Sequence, residues 1–133
     1  MKAFYPYLNF DGNTREAMTF YQQVLGGELA VQTAADAKVP VPPGSENRVI
    51  HARITYGSTM LMASDTMHGA PFTPGNNVWV SIECESLEEI ERIFPAMAAG
   101  GTIVMPLADQ FWNARFGILI DKFGTHWMMN FQR

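Results

Sequence analysis

Three histidines give the chain its options for proton chemistry, and two of them have polar company. His51 lies in a β-rich run, Arg48–Tyr56, followed by the tight polar turn Gly57-Ser58 and a second β-rich run, Thr59–Asp65. Folding the second run back on the first sets His51 opposite Ser64, with Asp65 next to it. A His–Ser or His–Asp pair could take a proton from a bound substrate as a general base. The alternative is a histidine that bonds a neighbour and orders the strand end. His126 alternates with Met128 and Asn130 in the last apolar segment, so these three share one strand face. Phe111-Trp112, Arg115 and Phe116 form a third cluster. Arginine presents a planar donor fork suited to a carboxylate or phosphate, and tryptophan adds a broad apolar wall. This cluster reads either as an anion clamp or as an arginine stacked on tryptophan to close a loop. His68 sits among Gly, Pro and Asn residues and is expected to be solvent-exposed. Cys84 stands between Glu83 and Glu85, which disfavours a thiolate and points to a structural role.

Several chemistries are not encoded. The chain has no phosphate-binding GxxxxGK[ST] loop, no GxGxxG after a strand, no GxSxG and no HExxH. One cysteine allows neither an intrachain disulfide nor a cysteine-based zinc site, which fits a reducing, cytoplasmic setting. The formal net charge is -4 and the basic residues are scattered, so no nucleic-acid partner is expected. No apolar run is long enough to span a bilayer, and the N-terminus does not read as a secretory signal, so no membrane association is expected either. The 133 residues, 47% hydrophobic, favour one domain with a substantial core. The nine methionines either fill that core adaptably or give a cavity a tolerant apolar wall.

The elements that must position these groups repeat. Asn13 to Gly27 predicts a helix: Asn13 and Glu16 have capping-box spacing, Ala17, Phe20, Tyr21 and Val24 form one apolar stripe, and a glycine pair ends it. A strand is expected on each side, Phe4–Phe10 and Glu28–Thr33. Pro6 predicts that the first strand is an edge, starts late or bulges. Residues 34–47, rich in proline, read as an exposed loop, either a spacer or a functional segment. Residues 66–77 read as a linker. The second half restarts with a strand at Val78–Cys84, a capping box at Ser86–Glu89, and a helix ending at Gly100-Gly101 with Pro95 inside it. Strands at Thr102–Leu107, Phe116–Asp121 and Thr125–Gln132 follow. The glycine pairs of the two halves lie 74 residues apart, so both halves read β-α-β-β-β. The fold class is therefore α+β: two βαβββ modules, about 1–66 and 76–133, forming curled mixed sheets around a cleft with the helices outside.

The stretches YLNFDGNTREAMTFYQQVLGGEL, HARITYGSTMLMASD, FWNARFG and DKFGTHWMMN closely resemble the PhnB-like branch of the vicinal oxygen chelate superfamily. That superfamily includes glyoxalase I, extradiol dioxygenases, and fosfomycin and bleomycin resistance proteins. The resemblance covers nearly the whole chain. It implies a single domain of paired βαβββ modules, 1–133, and a homodimer. It also implies that a divalent metal, where present, is held by the first and last strands of each module. Aligned on Phe20-Tyr21, those positions fall near Pro6, with Tyr5 or Tyr7 one residue away, and at Met62. In the second module they fall at Val78, with Asn77 or Trp79 one residue away, and at Met128, with Met129 beside it. None is a usual ligand for a hard divalent ion. No metal and no other cofactor is therefore expected.

Two functions follow. One is metal-independent binding of a small molecule, an apolar compound with an anionic or polar head. Its candidate contacts are Tyr7, Met62, Ser64, Asp65, Trp112, Arg115, Met128 and Asn130. The other is a glyoxalase-like lyase or isomerase acting on a small oxygenated metabolite, with His51 or His126 as base and Arg115 as anion partner. A third possibility is a bare scaffold with a filled cleft.

Overall fold

The computed structural model describes residues 1–67 and 70–133, so the placement expected for His68 lies outside the described residues. The chain divides into two compact units, Met1–Thr73 and Pro74–Arg133, with the division inside the predicted linker. The fold is α+β, and the described residues form eight strands in two open, mixed four-stranded sheets.

The first unit contains β1 (Tyr7–Phe10), α1 (Thr14–Leu25), β2 (Glu28–Thr33), α2 (Ala34–Ala37), β3 (Val49–Tyr56) and β4 (Thr59–Asp65). Its sheet order is β1-β4-β3-β2, with β1 parallel to β4 and the other pairs antiparallel. β1 is an edge strand and starts late, as Pro6 requires. The Pro6 carbonyl still accepts from the Met62 N–H at 3.1 Å. The β3–β4 hairpin has the predicted register, with Arg53 opposite Met62 and Tyr56 opposite Thr59.

α1 packs on β2, β3 and β4. It buries Ala17, Met18 and Tyr21 in a core shared with Phe10, Ala52, Ile54, Leu61 and Ala63. Its start departs from the sequence expectation. Asn13 precedes the helix but makes no side-chain cap hydrogen bond. The cap comes from Asp65, at the far end of β4. Its Oδ1 accepts from the Gly12 N–H (3.0 Å), the Thr14 N–H (3.1 Å) and the Thr14 hydroxyl (2.7 Å). Its Oδ2 accepts from the Val49 N–H at 2.8 Å. A buried carboxylate supplies the negative charge that a helix N-terminus favours and satisfies donors that water cannot reach. At the other end, Gly27 is at φ 90°, and a Cβ there would lie 2.6 Å from the Thr55 carbonyl, so no larger residue fits.

Residues 34–47 are not wholly irregular. Thr33 and Asp36 form a complete capping box around α2. Four helical residues among prolines are too few to show a periodicity, and the cap spacing was their only signal.

The second unit contains β5 (Val80–Glu83), α3 (Leu87–Ala98), β6 (Thr102–Gln110), β7 (Ala114–Ile120) and β8 (His126–Gln132). The order β5-β8-β7-β6 repeats the first sheet, with β5 parallel to β8. Here the cap is local: Ser86 Oγ accepts from the Glu89 N–H at 3.0 Å, and Glu89 accepts from the Glu85 N–H. α3 runs through Pro95, which leaves the Glu91 carbonyl without its helical donor. β6 is longer than expected, continuing past Pro106 to Gln110 as an irregular edge. α3 packs on β6, β7 and β8, and Gly117 sets its approach. A Cβ at Gly117 would lie 2.7 Å from the Phe94 ring. Under this helix the Trp127 indole N–H donates to Asp121, whose other oxygen accepts from the N–H groups of Phe123 and Thr125.

Candidate functional site

Strand alternation decides which candidate side chains stand on the sheet face that the helix covers and which on the free one. In the first unit Leu61, Ala63 and Asp65 point to α1, so Met60, Met62 and Ser64 point away. Tyr7 and Asn9 of β1, His51, Arg53 and Thr55 of β3, and Glu28, Ala30 and Gln32 of β2 share that helix-free face. The pairing makes a row across three strands, Tyr7–Met62–Arg53. One rung away, Gln32 stands opposite His51.

Tyr7, Met62, Ser64 and His51 are thus on one surface, as their candidacy requires. The contact made by His51 differs from expectation. Its Nδ1 lies 3.4 Å from the Tyr7 hydroxyl, with ring centroids 5.9 Å apart. Asp65 is elsewhere: it is buried on the α1 side and occupied by Gly12, Thr14 and Val49. It is not positioned to serve His51 or a ligand on the free face.

In the second unit Gly117, Leu119, Trp127 and Met129 point to α3. The free face carries Ser81 and Glu83 of β5, His126, Met128 and Asn130 of β8, and Phe116, Ile118 and Ile120 of β7. His126 meets Trp79 edge-on at 4.3 Å, and the Trp79 indole donates to the Asn76 carbonyl. Asn130 is the centre of a short polar chain. Its Nδ2 donates to Glu83 Oε2 at 3.0 Å, and its Oδ1 accepts from the Trp112 indole at 3.2 Å. Trp112 also packs edge-on to Phe116 and Phe111.

Arg115 leaves the cluster that sequence proximity suggested. It has the parity of Gly117, not of Phe116, and its guanidinium reaches Glu91 of α3 at 3.4 Å and Asp109 at 3.6 Å. Its own neighbours already occupy it, so it is no anion clamp beside Trp112. The Asp109 carboxyl is held below the usual carboxylate range by its hydrogen bond to Arg133, with Arg115 adding to the effect. The site residues that the sequence reading overlooked are Arg53 and Glu83, and Trp79 entered it only as a neighbour of Val78. Arg53 alternates with His51 in β3, and that spacing was the available signal.

The strand register also sets the neighbours of the positions that the superfamily resemblance assigns to metal ligands. The residue opposite Met62 is Tyr7, one beyond Pro6, and the residue opposite Met128 is Ser81, three beyond Val78. Two thioethers, a phenol and a hydroxyl do not suit a hard divalent ion, which takes carboxylates and imidazoles. Among the described residues no group of three or more His, Cys, Asp or Glu could hold a metal. No chemical step is therefore assigned to one.

Comparison with known proteins agrees with this architecture. Residues 2–130 match the family described as 3-demethylubiquinone-9 3-methyltransferase. Protein PA1353 from Pseudomonas aeruginosa superposes with a TM-score of 0.89 at 39% identity, over 99% of this chain and 98% of that one. A putative 3-demethylubiquinone-9 3-methyltransferase, PhnB protein, from Bacillus cereus gives 0.81 at 30% identity, over 98% and 99%. A glyoxalase/bleomycin resistance protein/dioxygenase family enzyme from Burkholderia phytofirmans shares the fold, with a TM-score of 0.68 at 19% identity over 98% and 100%. With its two mixed β-α-β-β-β sheets, which share the fold of the glyoxalase/bleomycin resistance protein/dioxygenase enzyme, and its match over residues 2–130, the chain belongs to the PhnB-like 3-demethylubiquinone-9 3-methyltransferase family.

Proposed function

We propose that this protein binds a small organic molecule without a metal, on the helix-free faces of its sheets. The observation that carries the reading is the pair of rows Tyr7–Met62 and Ser81–Met128. Where a metalloenzyme of this superfamily needs hard ligands, this chain offers polarizable thioethers flanked by aromatic and hydroxyl groups. Such a surface suits an apolar body with a few oriented polar groups. Beside the first row Ser64 would supply a polar contact, and beside the second Asn130 and Trp112 would supply polar and aromatic ones. The reading includes one domain over 1–133, a homodimer and a cytoplasmic setting. The exposed Ile103, Val104 and Met105 of β6 and the lone cysteine support the last two. Among the described residues no helix is long and apolar enough to cross a membrane.

The test is elemental analysis and native mass spectrometry of gently purified protein. The expected result is metal far below one ion per chain and a retained organic adduct. One tightly held divalent ion per chain, with ligand binding lost on chelation, would overturn the reading.

The Tyr7–His51 contact favours a second reading, a lyase or isomerase with His51 or His126 as base. Turnover abolished by His51→Ala or His126→Ala, with the fold intact, would support it. Unchanged turnover in both would end it.

A further inference from the structure

β3 alternates a buried and a free series, and the free series is His51, Arg53, Thr55. Arg53 is exposed and stands in the middle of the sheet, with Met62 on one side and Ala30 on the other. Directly opposed side chains across strands lie about 5 Å apart at Cβ. The Arg53 guanidinium therefore emerges beside the Met62 thioether, with the Tyr7 ring beyond it. Arg48, Arg115 and Arg133 all have carboxylate partners. Arg53 has no ion pair among the described residues. The carboxylate on this face is Glu28, at the first position of β2 and opposite Thr55, and it does not pair with Arg53. The remaining polar side chains around it, Asn9, Gln32, His51, Thr55 and Ser64, include no carboxylate. An unpaired guanidinium beside thioethers and a phenol complements one class of small molecule: an organic oxyanion carried on an apolar body.

We infer that Arg53 is the head-group residue of this face, and that its ligand is a small organic anion (carboxylate, sulfonate or phosphate-like) whose apolar part lies along Met62 and Met60. This rests on the small-molecule binding reading and sharpens it by naming the ligand class and moving the anion contact from Arg115 to Arg53. His51, one rung away, and Tyr7, beyond Met62 on the same rung, would then lie near the bound head group.

Two fluorescent probes of similar size test it: 1-anilinonaphthalene-8-sulfonate, which carries an oxyanion, and N-phenyl-1-naphthylamine, which does not. Both are titrated against the wild type, Arg53→Gln, Arg53→Lys and Arg15→Gln at physiological salt, where distant charges are screened. Arg15 is an exposed arginine on α1 and controls for net charge. Loss of a charge-assisted contact should weaken the sulfonate probe about tenfold or more in Arg53→Gln. Arg53→Lys should recover part of that loss. Arg15→Gln should leave it unchanged, and the neutral probe should bind all four proteins alike. Equal sulfonate affinity in the wild type and Arg53→Gln would overturn the inference and leave the binding reading standing. So would a parallel loss of both probes in Arg53→Gln. If neither probe binds the wild type, the small-molecule reading falls and this inference with it.

Discussion

Replacing Asp65 by Asn tests the account of how the first unit is held together. The carboxylate is 8% exposed and accepts four hydrogen bonds, three on Oδ1 and one on Oδ2. Asparagine fits the same space but can place a carbonyl on only one side. If the carbonyl keeps the Gly12 and Thr14 donors, the amide NH2 faces the Val49 N–H, donor against donor. One buried hydrogen bond is then lost, its donor is stranded, and three others fall from charged to neutral strength. Hydrogen bonds to charged groups contribute roughly 1.5–3 kcal/mol and a stranded buried donor costs about 1–3 kcal/mol, so the total is about 3 kcal/mol. At an m-value of about 2 kcal/mol/M, the urea midpoint should fall by about 1.5 M.

The matched control is Asn13→Ala. Asn13 makes no side-chain cap hydrogen bond, so its loss should cost under about 0.5 kcal/mol, where a working cap would cost about 1. The aromatic residues make the assay selective. All four tyrosines lie in Met1–Thr73 and all three tryptophans in Pro74–Arg133. Far-UV circular dichroism follows both units, whereas tryptophan fluorescence follows the second alone. The dichroism transition must move in Asp65→Asn, and whether the fluorescence transition moves with it reports the coupling between units. An Asn13→Ala cost equal to or above that of Asp65→Asn would refute the reasoning.

Two further outcomes follow from the second unit. Burial, reinforced by the negative charges of Glu89 and Glu83, pushes the Cys84 thiol up from its ordinary 9.0 to about 12. Native protein at pH 8 should therefore carry about a thousandfold less thiolate than unfolded chain and react with iodoacetamide correspondingly more slowly. Because the unfolded thiol ionises first, the contribution of Cys84 to stability is complete below pH 9 and declines from there towards 12. The wild-type urea midpoint should accordingly fall more steeply than that of Cys84→Ala above pH 9, and native alkylation as fast as denatured would contradict the burial. Gly117→Ala should cost about 1–3 kcal/mol, since its methyl group would meet the Phe94 ring and Leu107 and push α3 off the sheet. An unchanged thermal midpoint would show that the helix does not need that close approach.

The readable and unreadable parts of the sequence differ in range. The β3–β4 hairpin register could be read because a two-residue turn fixes every pair beyond it. The repeat could be read because each half carries its own helix stripe and glycine stop. What could not be read depended on residues far apart. The cap on α1 comes from a residue 51 positions beyond Thr14, while Asn13 and Glu16 offered a plausible local substitute. Arg115 was placed by its sequence neighbours, but a period of two puts adjacent residues on opposite faces, so Phe116 and Arg115 part company. The same period marked Arg53 as a companion of His51. The candidate site was thus half legible. Tyr7, His51, Met62 and Ser64 gather on one face, whereas Asp65 and Arg115 belong to the helix sides.

The two caps also impose an order of events. Ser86 completes the start of α3 three residues away, so that helix can close as soon as its own first turn forms. α1 has no such local closure. Its Thr14 amide waits for a carboxylate that lies beyond β2, the proline-rich segment and the whole β3–β4 hairpin. Ordering so long a loop carries an entropy cost before the cap returns anything. The duplicated halves are alike when finished and unlike in assembly. In a chain made from its N-terminus, the first helix is synthesised early and capped late, and the second is synthesised late and capped at once.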